Sequence, residues 1–210
     1  MKIAFLGDSI TQGGCASSEE NTYVSKVGEM LGCTVLNYGV SGTRIAPNSN
    51  PEDKYGEYFL MRAKKMDRSA DFVFVFGGTN DYGHGDAEMG EEFSTNENTF
   101  YGAFNQLIAY LFDVYGKEKV CFILPLPRFN SDSVYGEGFK TTALYPLSDY
   151  VEAERKRLDF YGAQYMDLSS VFGVPTSGEP SEFFQDGLHP NDNGHLLLAK
   201  EIVKWFQSRK

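Results

Sequence analysis

The sequence is poor in cysteine, histidine and positive charge, and each shortage excludes something. Three cysteines, Cys15, Cys33 and Cys121, are spread over 210 residues. Such spacing makes no disulfide framework, and the last two adjoin apolar runs, so a reducing compartment, the cytoplasm, is expected. Lys and Arg number 19 against 29 Asp and Glu, a formal net charge of −10. That balance excludes the broad positive surface of a nucleic-acid or anionic-membrane binder. The clearest basic cluster, Arg62, Lys64, Lys65 and Arg68, reads as the wet face of a helix. No apolar run is long enough to span a bilayer, and none forms a leader: residues 2–6 read as a buried strand. No stable membrane association is therefore expected. Phosphate-binding fingerprints are missing as well. Residues 7–14 run Gly-Asp-Ser-Ile-Thr-Gln-Gly-Gly, which is neither a dinucleotide fingerprint nor a P-loop, and Asp8 would repel phosphate.

What is present fits a folded globule. Hydrophobic residues make up 41% and aromatics 15%, enough for a core without disulfides or a structural metal. With no linker or repeat, one domain over residues 1–210 is expected. Apolar runs at 2–6, 33–37, 71–76, 120–124 and 164–168 read as strands. Helical stripes alternate with them at 20–31 (Tyr23, Val27 and Met30 on one face), 58–65, 100–112, 149–161 and from 191 or 192 onward. Asp149 with Glu152 has the spacing of a capping box. Residues 7–18, 38–53, 77–98 and 131–146 read as loops. Phe72 to Phe76 is apolar without a break, as a parallel strand covered on both faces must be. The alternation predicts an α/β protein with a mostly parallel five-stranded sheet between helical layers. Ligands in such folds bind beyond the C-terminal ends of the strands. Asp8, Ser9, Gly39, Ser41, Thr79, Asn80, Asp81, Asp186 and His189 would gather there.

Only three histidines, His84, His189 and His195, can serve as a neutral-pH base. His189 lies in Asp186-Gly187-Leu188-His189-Pro190, where a tight turn brings carboxylate and ring together. A serine hydroxyl needs such a base to become a nucleophile, and the base needs a carboxylate to fix its tautomer. Ser9, directly after the first strand, is the candidate nucleophile. The Ser9 N–H, the Gly39 N–H and the Asn80 amide are candidate donors to an oxyanion. Asp8 and Asp81 read as loop-stabilising, and His195 as structural. Asp8, Asp81, Asp186 and His189 recast as metal ligands would leave Ser9 and Asn80 without a role.

These blocks carry a resemblance. Gly7-Asp8-Ser9-Ile10-Thr11, Asn37-Tyr38-Gly39-Val40-Ser41-Gly42, Gly78-Thr79-Asn80-Asp81 and Asp186-Gly187-Leu188-His189-Pro190 resemble, in order, the blocks of the GDSL/SGNH hydrolase superfamily. Ile10 stands where the first block usually has Leu. The resemblance implies a three-layer α/β/α sandwich of flavodoxin-like topology. It further implies ester hydrolysis by a Ser9–His189–Asp186 triad through an acyl-enzyme, with Ser9, Gly39 and Asn80 as oxyanion hole and no cofactor or metal.

Loops 46–57, 82–99 and 129–147 would shape the pocket, with Tyr55, Tyr82, His84, Arg128, Phe129, Tyr135, Phe139 and Tyr145 among their residues. His84, Arg44 and Tyr82 are candidate substrate contacts, although Arg44 equally suits a carboxylate inside the protein. Aromatic faces with polar neighbours suit sugar rings, so the favoured reading is a short-chain, chiefly acetyl, esterase acting on small-molecule or oligosaccharide esters. Lysophospholipase or thioesterase activity, acyl transfer and non-catalytic carbohydrate binding are the alternatives. The same loops are also candidates for a contact between copies of the chain.

Overall fold

The computed structural model describes residues 1–50 and 56–209. The expected strands and helices form in the expected order. The strands are β1 (Lys2–Gly7), β2 (Thr34–Gly39), β3 (Phe72–Phe76), β4 (Val120–Ile123) and β5 (Gln164–Met166). They make one parallel sheet in the order β2-β1-β3-β4-β5. Two-residue alternation sorts their side chains. Ala4, Leu6, Val73, Val75, Val120 and Phe122 face one helical layer. Ile3, Phe5, Phe72, Phe74, Cys121 and Ile123 face the other. Both faces are buried, which is why β3 needs five apolar residues in a row.

The helices are α1 (Ser9–Gln12), α2 (Tyr23–Leu31), α3 (Phe59–Ala63), α4 (Thr79–His84), α5 (Phe100–Tyr115), α6 (Leu147–Tyr161), α7 (Ser169–Phe172) and α8 (Asp192–Ser208). Helices α3, α5 and α6 cover the first face; α2, α7 and α8 cover the second. Among the described residues no helix is long and apolar enough to cross a membrane.

Several expectations are corrected. The segments 7–18 and 77–98 contain α1 and α4, helices of four and six residues, too short to show a hydrophobic period. Helix α2 begins after Thr22, whose side chain accepts from the Ser25 N–H at 3.2 Å. Its buried face runs through Tyr23, Val24, Val27 and Gly28, with Leu31 packed against the same core, and Met30 turns outward. Helix α6 starts after Pro146, so Asp149 lies in its first turn and caps nothing. Arg62 does not join Lys64, Lys65 and Arg68 in solvent. Its buried guanidinium donates to the Tyr38 carbonyl at 2.6 Å and to Thr43 Oγ1 at 2.8 Å. The guanidinium thereby ties the end of β2 to the loop after it. Tyr55 lies outside the described residues.

Register decides what this scaffold can carry. Gly7 pairs with both Gly39 and Phe76, so β1, β2 and β3 end level. β1 leads to β2 on one side while β3 continues on the other. The crevice at this reversal is where open α/β sheets bind ligands, and Ser9 opens α1 directly above it.

Candidate active site

Ser9 is the first residue of α1. Asp8 caps that turn by accepting the Ile10 N–H at 3.0 Å, and Gly13 ends it at φ 107°. This short turn breaks the direction of β1 and leaves the serine at the strand end, 8% exposed. Burial raises Asp8 to about 6, against the pull of the Ile10 amide and of nearby positive groups.

The second component arrives from the far end of the chain. Residues 183–191 fold back on themselves through an antiparallel bridge between Phe184 and Pro190 and a Gln185 N–H to His189 carbonyl bond of 2.8 Å. Gly187 makes the turn at φ 74°; a Cβ there would sit 2.5 Å from the Ser177 carbonyl oxygen. Asp186 Oδ1 accepts the Leu188 and His189 amides at 3.0 and 2.7 Å, while Oδ2 meets His189 Nδ1 at 2.7 Å. Partial burial pushes Asp186 upward, but the amide and ring bonds from His189 outweigh it and hold the carboxyl below its usual range. The acceptor at Nδ1 places the proton there and leaves the Nε2 lone pair toward Ser9 Oγ, 3.0 Å away. Ser9, His189 and Asp186 thus form one hydrogen-bonded chain, although 180 positions separate the first pair.

The donor side departs from expectation at Gly39. Its N–H is taken by Asn37 Oδ1 at 2.8 Å. Its missing side chain serves packing, since a Cβ would lie 2.5 Å from Thr11 C and against Gln12 N. Asn80 enters from α4, and its Nδ2 donates to the Thr43 carbonyl at 3.0 Å. Next to Thr43 is Gly42, at φ 76°. No described residue accepts the Gly42 N–H. Asp81 fixes this arch from beneath, accepting the Ile45 and Ala46 amides at 2.9 Å each. Burial raises it to about 6 despite those bonds.

Arg44 turns inward. It is 2% exposed, lies near Asp81, and donates from Nη1 to half-buried His84 at Nδ1, 2.9 Å away. Tyr82 is 1% exposed and donates its hydroxyl to the Asn130 carbonyl at 2.7 Å. It is therefore a core residue and not a wall of the crevice. His195 is buried: Nδ1 accepts the Tyr23 N–H at 3.2 Å and Nε2–H donates to the Gly14 carbonyl at 3.1 Å. Both ring nitrogens are committed, and burial lowers its pKa. Asp8 and Asp81 point into these backbone contacts, so they share no ligand set with Asp186 and His189.

Sequence reasoning missed two supports. Lys140 is buried and its ammonium donates to the Asp81 and Tyr82 carbonyls, at 3.1 and 3.0 Å, clamping the 124–146 excursion onto α4. Glu154 is also buried, its carboxylate against Gly78. Its place on the inner face of α6, beside Ala153, Arg157 and Leu158, is the only hint the sequence offers.

The profile of the GDSL-like Lipase/Acylhydrolase family matches residues 5–197. No curated protein matches the chain. Among solved structures, a protein from Lactobacillus plantarum is 28% identical, with a TM-score of 0.82 over 100% of this chain and 97% of its own. Est24, a carbohydrate acetylesterase from Sinorhizobium meliloti, shares the fold at 15% identity, with a TM-score of 0.69 over 100% and 99%. The acetyl xylan esterase AlAXEase does so at 21% identity, with a TM-score of 0.67 over 98% and 99%. Flavodoxin-like strand order, the four motif blocks at the strand ends and the profile match together assign the chain: it belongs to the GDSL-like Lipase/Acylhydrolase family and is a carboxylic ester hydrolase.

Proposed function

We propose that the chain hydrolyses short acyl esters, chiefly acetyl esters of carbohydrates, with Ser9 as nucleophile. The observation that carries the reading is the pair of contacts on one imidazole: Ser9 Oγ to Nε2 at 3.0 Å and Asp186 Oδ2 to Nδ1 at 2.7 Å. His189 takes the Ser9 proton as Oγ attacks the carbonyl carbon. Negative charge then develops on the carbonyl oxygen. The Ser9 N–H, the second Asn80 amide proton and the Gly42 N–H are the donors assigned to it, Gly42 replacing Gly39. His189 returns its proton to the leaving alkoxide. Water, activated by the same imidazole, then splits the acyl-enzyme, and the acid departs.

The acetyl-carbohydrate reading rests on two supports. Two fold relatives are a carbohydrate acetylesterase and an acetyl xylan esterase. Beside the candidate site the 129–147 excursion exposes Phe129, whose N–H bonds the Gly187 carbonyl at 2.7 Å, next to Asp186; Tyr135 and Phe139 are further exposed aromatics of the same excursion. An exposed aromatic face beside a polar crevice suits a sugar ring. The test is turnover of chromogenic esters from acetyl to dodecanoyl and of acetylated xylo-oligosaccharides, with Ser9→Ala alongside. Acetyl preference, release of acetate from the oligosaccharide and a loss of about 10³-fold or more in Ser9→Ala are expected. Preference for long chains would transfer the reading to lysolipids or thioesters, and undiminished turnover by Ser9→Ala would remove the nucleophile.

A further inference from the structure

Beside the candidate triad lies a side chain that ester hydrolysis does not use. The Cys15 thiol, a carboxylate oxygen of Asp186 and a ring nitrogen of His189 lie within 4.8 Å of one another, the only such grouping of three among the described residues. The turn that presents the thiol is fixed. The Gly13 and Gly14 amides both donate to the Ser9 carbonyl, at 3.1 and 2.7 Å, and the Ala16 amide to Gly13 at 3.1 Å. His195, from α8, holds the Gly14 carbonyl at 3.1 Å. The turn passes against the imidazole, because a Cβ on Gly14 would sit 3.2 Å from His189 Cδ2. Cys15 itself is exposed and carries no disulfide.

We propose that Cys15, Asp186 and His189 form an inhibitory site for a thiophilic divalent cation, with zinc as the type case. One sulfur, one imidazole nitrogen and one carboxylate oxygen suit Zn²⁺ and disfavour Mg²⁺ or Ca²⁺, which take all-oxygen sets. Binding exchanges three metal-bound waters for the three protein ligands. The Cys15 S–H bond breaks, its proton goes to solvent, and nothing is oxidised or reduced. The consequence for hydrolysis rests on reading His189 as the acceptor of the Ser9 proton. A neutral imidazole has one lone pair. A metal on Nε2 occupies it directly; a metal on Nδ1 forces the proton onto Nε2. Either way His189 can no longer accept from Ser9.

The test uses chelator-treated protein, with acetyl-ester turnover under Zn²⁺ titration and Co²⁺ binding followed by its thiolate charge-transfer absorption. Cys15→Ser removes the thiolate. Cys15→Gly removes it while easing the φ of 64° at this position. Wild type should lose turnover in a saturable way that chelator reverses, and should bind one Co²⁺ through sulfur. Both variants should hydrolyse the ester normally, lack the charge-transfer band and need at least about 10-fold more Zn²⁺ for inhibition, since losing a direct ligand costs no less than losing an outer-shell partner. Equal inhibition of variants and wild type, or no sulfur-to-cobalt band, overturns the site. A sulfur-to-cobalt band with turnover unchanged upholds the site and instead overturns the role given to His189.

Discussion

The Asn80 side chain donates to the Thr43 carbonyl at 3.0 Å, joining the first turn of α4 to the loop after β2. Arg62 holds the same residue from another side, through Thr43 Oγ1 at 2.8 Å. Asp81 binds two amides just beyond Arg44, those of Ile45 and Ala46. Three side chains, one from α3 and two from α4, thus fix one short arch, and Gly42 leads into it. An oxyanion donor is useful only if it needs no rearrangement when charge appears, and this bracing supplies that condition.

If Asn80 donates to the oxyanion as proposed, Asn80→Ala should lower kcat by about 10²–10³-fold with little change in KM. Steady-state kinetics on an acetyl ester checks this. A melting temperature that falls while kcat holds would show that Asn80 serves the Thr43 contact alone.

Gly39→Ala should destabilise the fold by roughly 1–3 kcal/mol, since the new methyl meets backbone of α1 and not a side chain that can swing away. Gly42→Ala strains a left-handed backbone by roughly 1–2 kcal/mol and shifts the proposed donor, so it should cost turnover too. Denaturant melts with parallel kinetics separate the two. A Gly39→Ala protein as stable as the parent would contradict the close approach.

Asp186→Asn should leave the fold nearly intact and cut kcat by about 10³–10⁴-fold. The retained Oδ1 still accepts the Leu188 and His189 amides. The new amide, however, donates toward His189 Nδ1. The imidazole then carries its proton on Nε2, facing Ser9, and cannot act as base. Ring-nitrogen chemical shifts report the tautomer, and a variant keeping Nε2 unprotonated would refute the account.

The strands were legible because burial on both faces demands apolar runs, as at Phe72 to Phe76, while their order in the sheet followed from the resemblance of the four blocks. The Asp186-Gly187-Leu188-His189 turn was legible because its carboxylate-to-ring contact is local. The partner of the Gly39 N–H was not: it depends on Asn37 folding back on its own strand end, a contact with no sequence signature. Arg62 was misplaced for a related reason: a helix-borne charge reads as solvated unless distant carbonyls wait for it. Met30 fell off the face because Gly28, able to approach Val35 closely, sets how α2 lies on the sheet.

The last expectation concerns pH and stability. Asp8 and Asp81 are each raised from 3.8 to about 6 by burial, and Glu154, buried with Oε1 unpartnered, is held well above its ordinary value. For each, the folded state binds a proton more tightly than the unfolded chain. Their contribution is therefore complete below the unfolded pKa and disappears as pH rises through the folded one. His195 works against them. Its lowered pKa favours the neutral ring, so its contribution is lost as pH falls below about 6.5. The carboxylates whose pKa is lowered, Glu20, Asp67, Asp167, Asp186 and Asp192, act at lower pH. Three groups outweigh one between about pH 5 and pH 7.5. The melting temperature should fall by roughly 5–10 °C across that window. Glu154→Gln keeps the shape and removes one titration, so its curve should be flatter and lie above the parent's at the alkaline end. A parent melting temperature that climbs with pH through the window would mean that these carboxylates are ionised and paired in the folded protein, contrary to their burial.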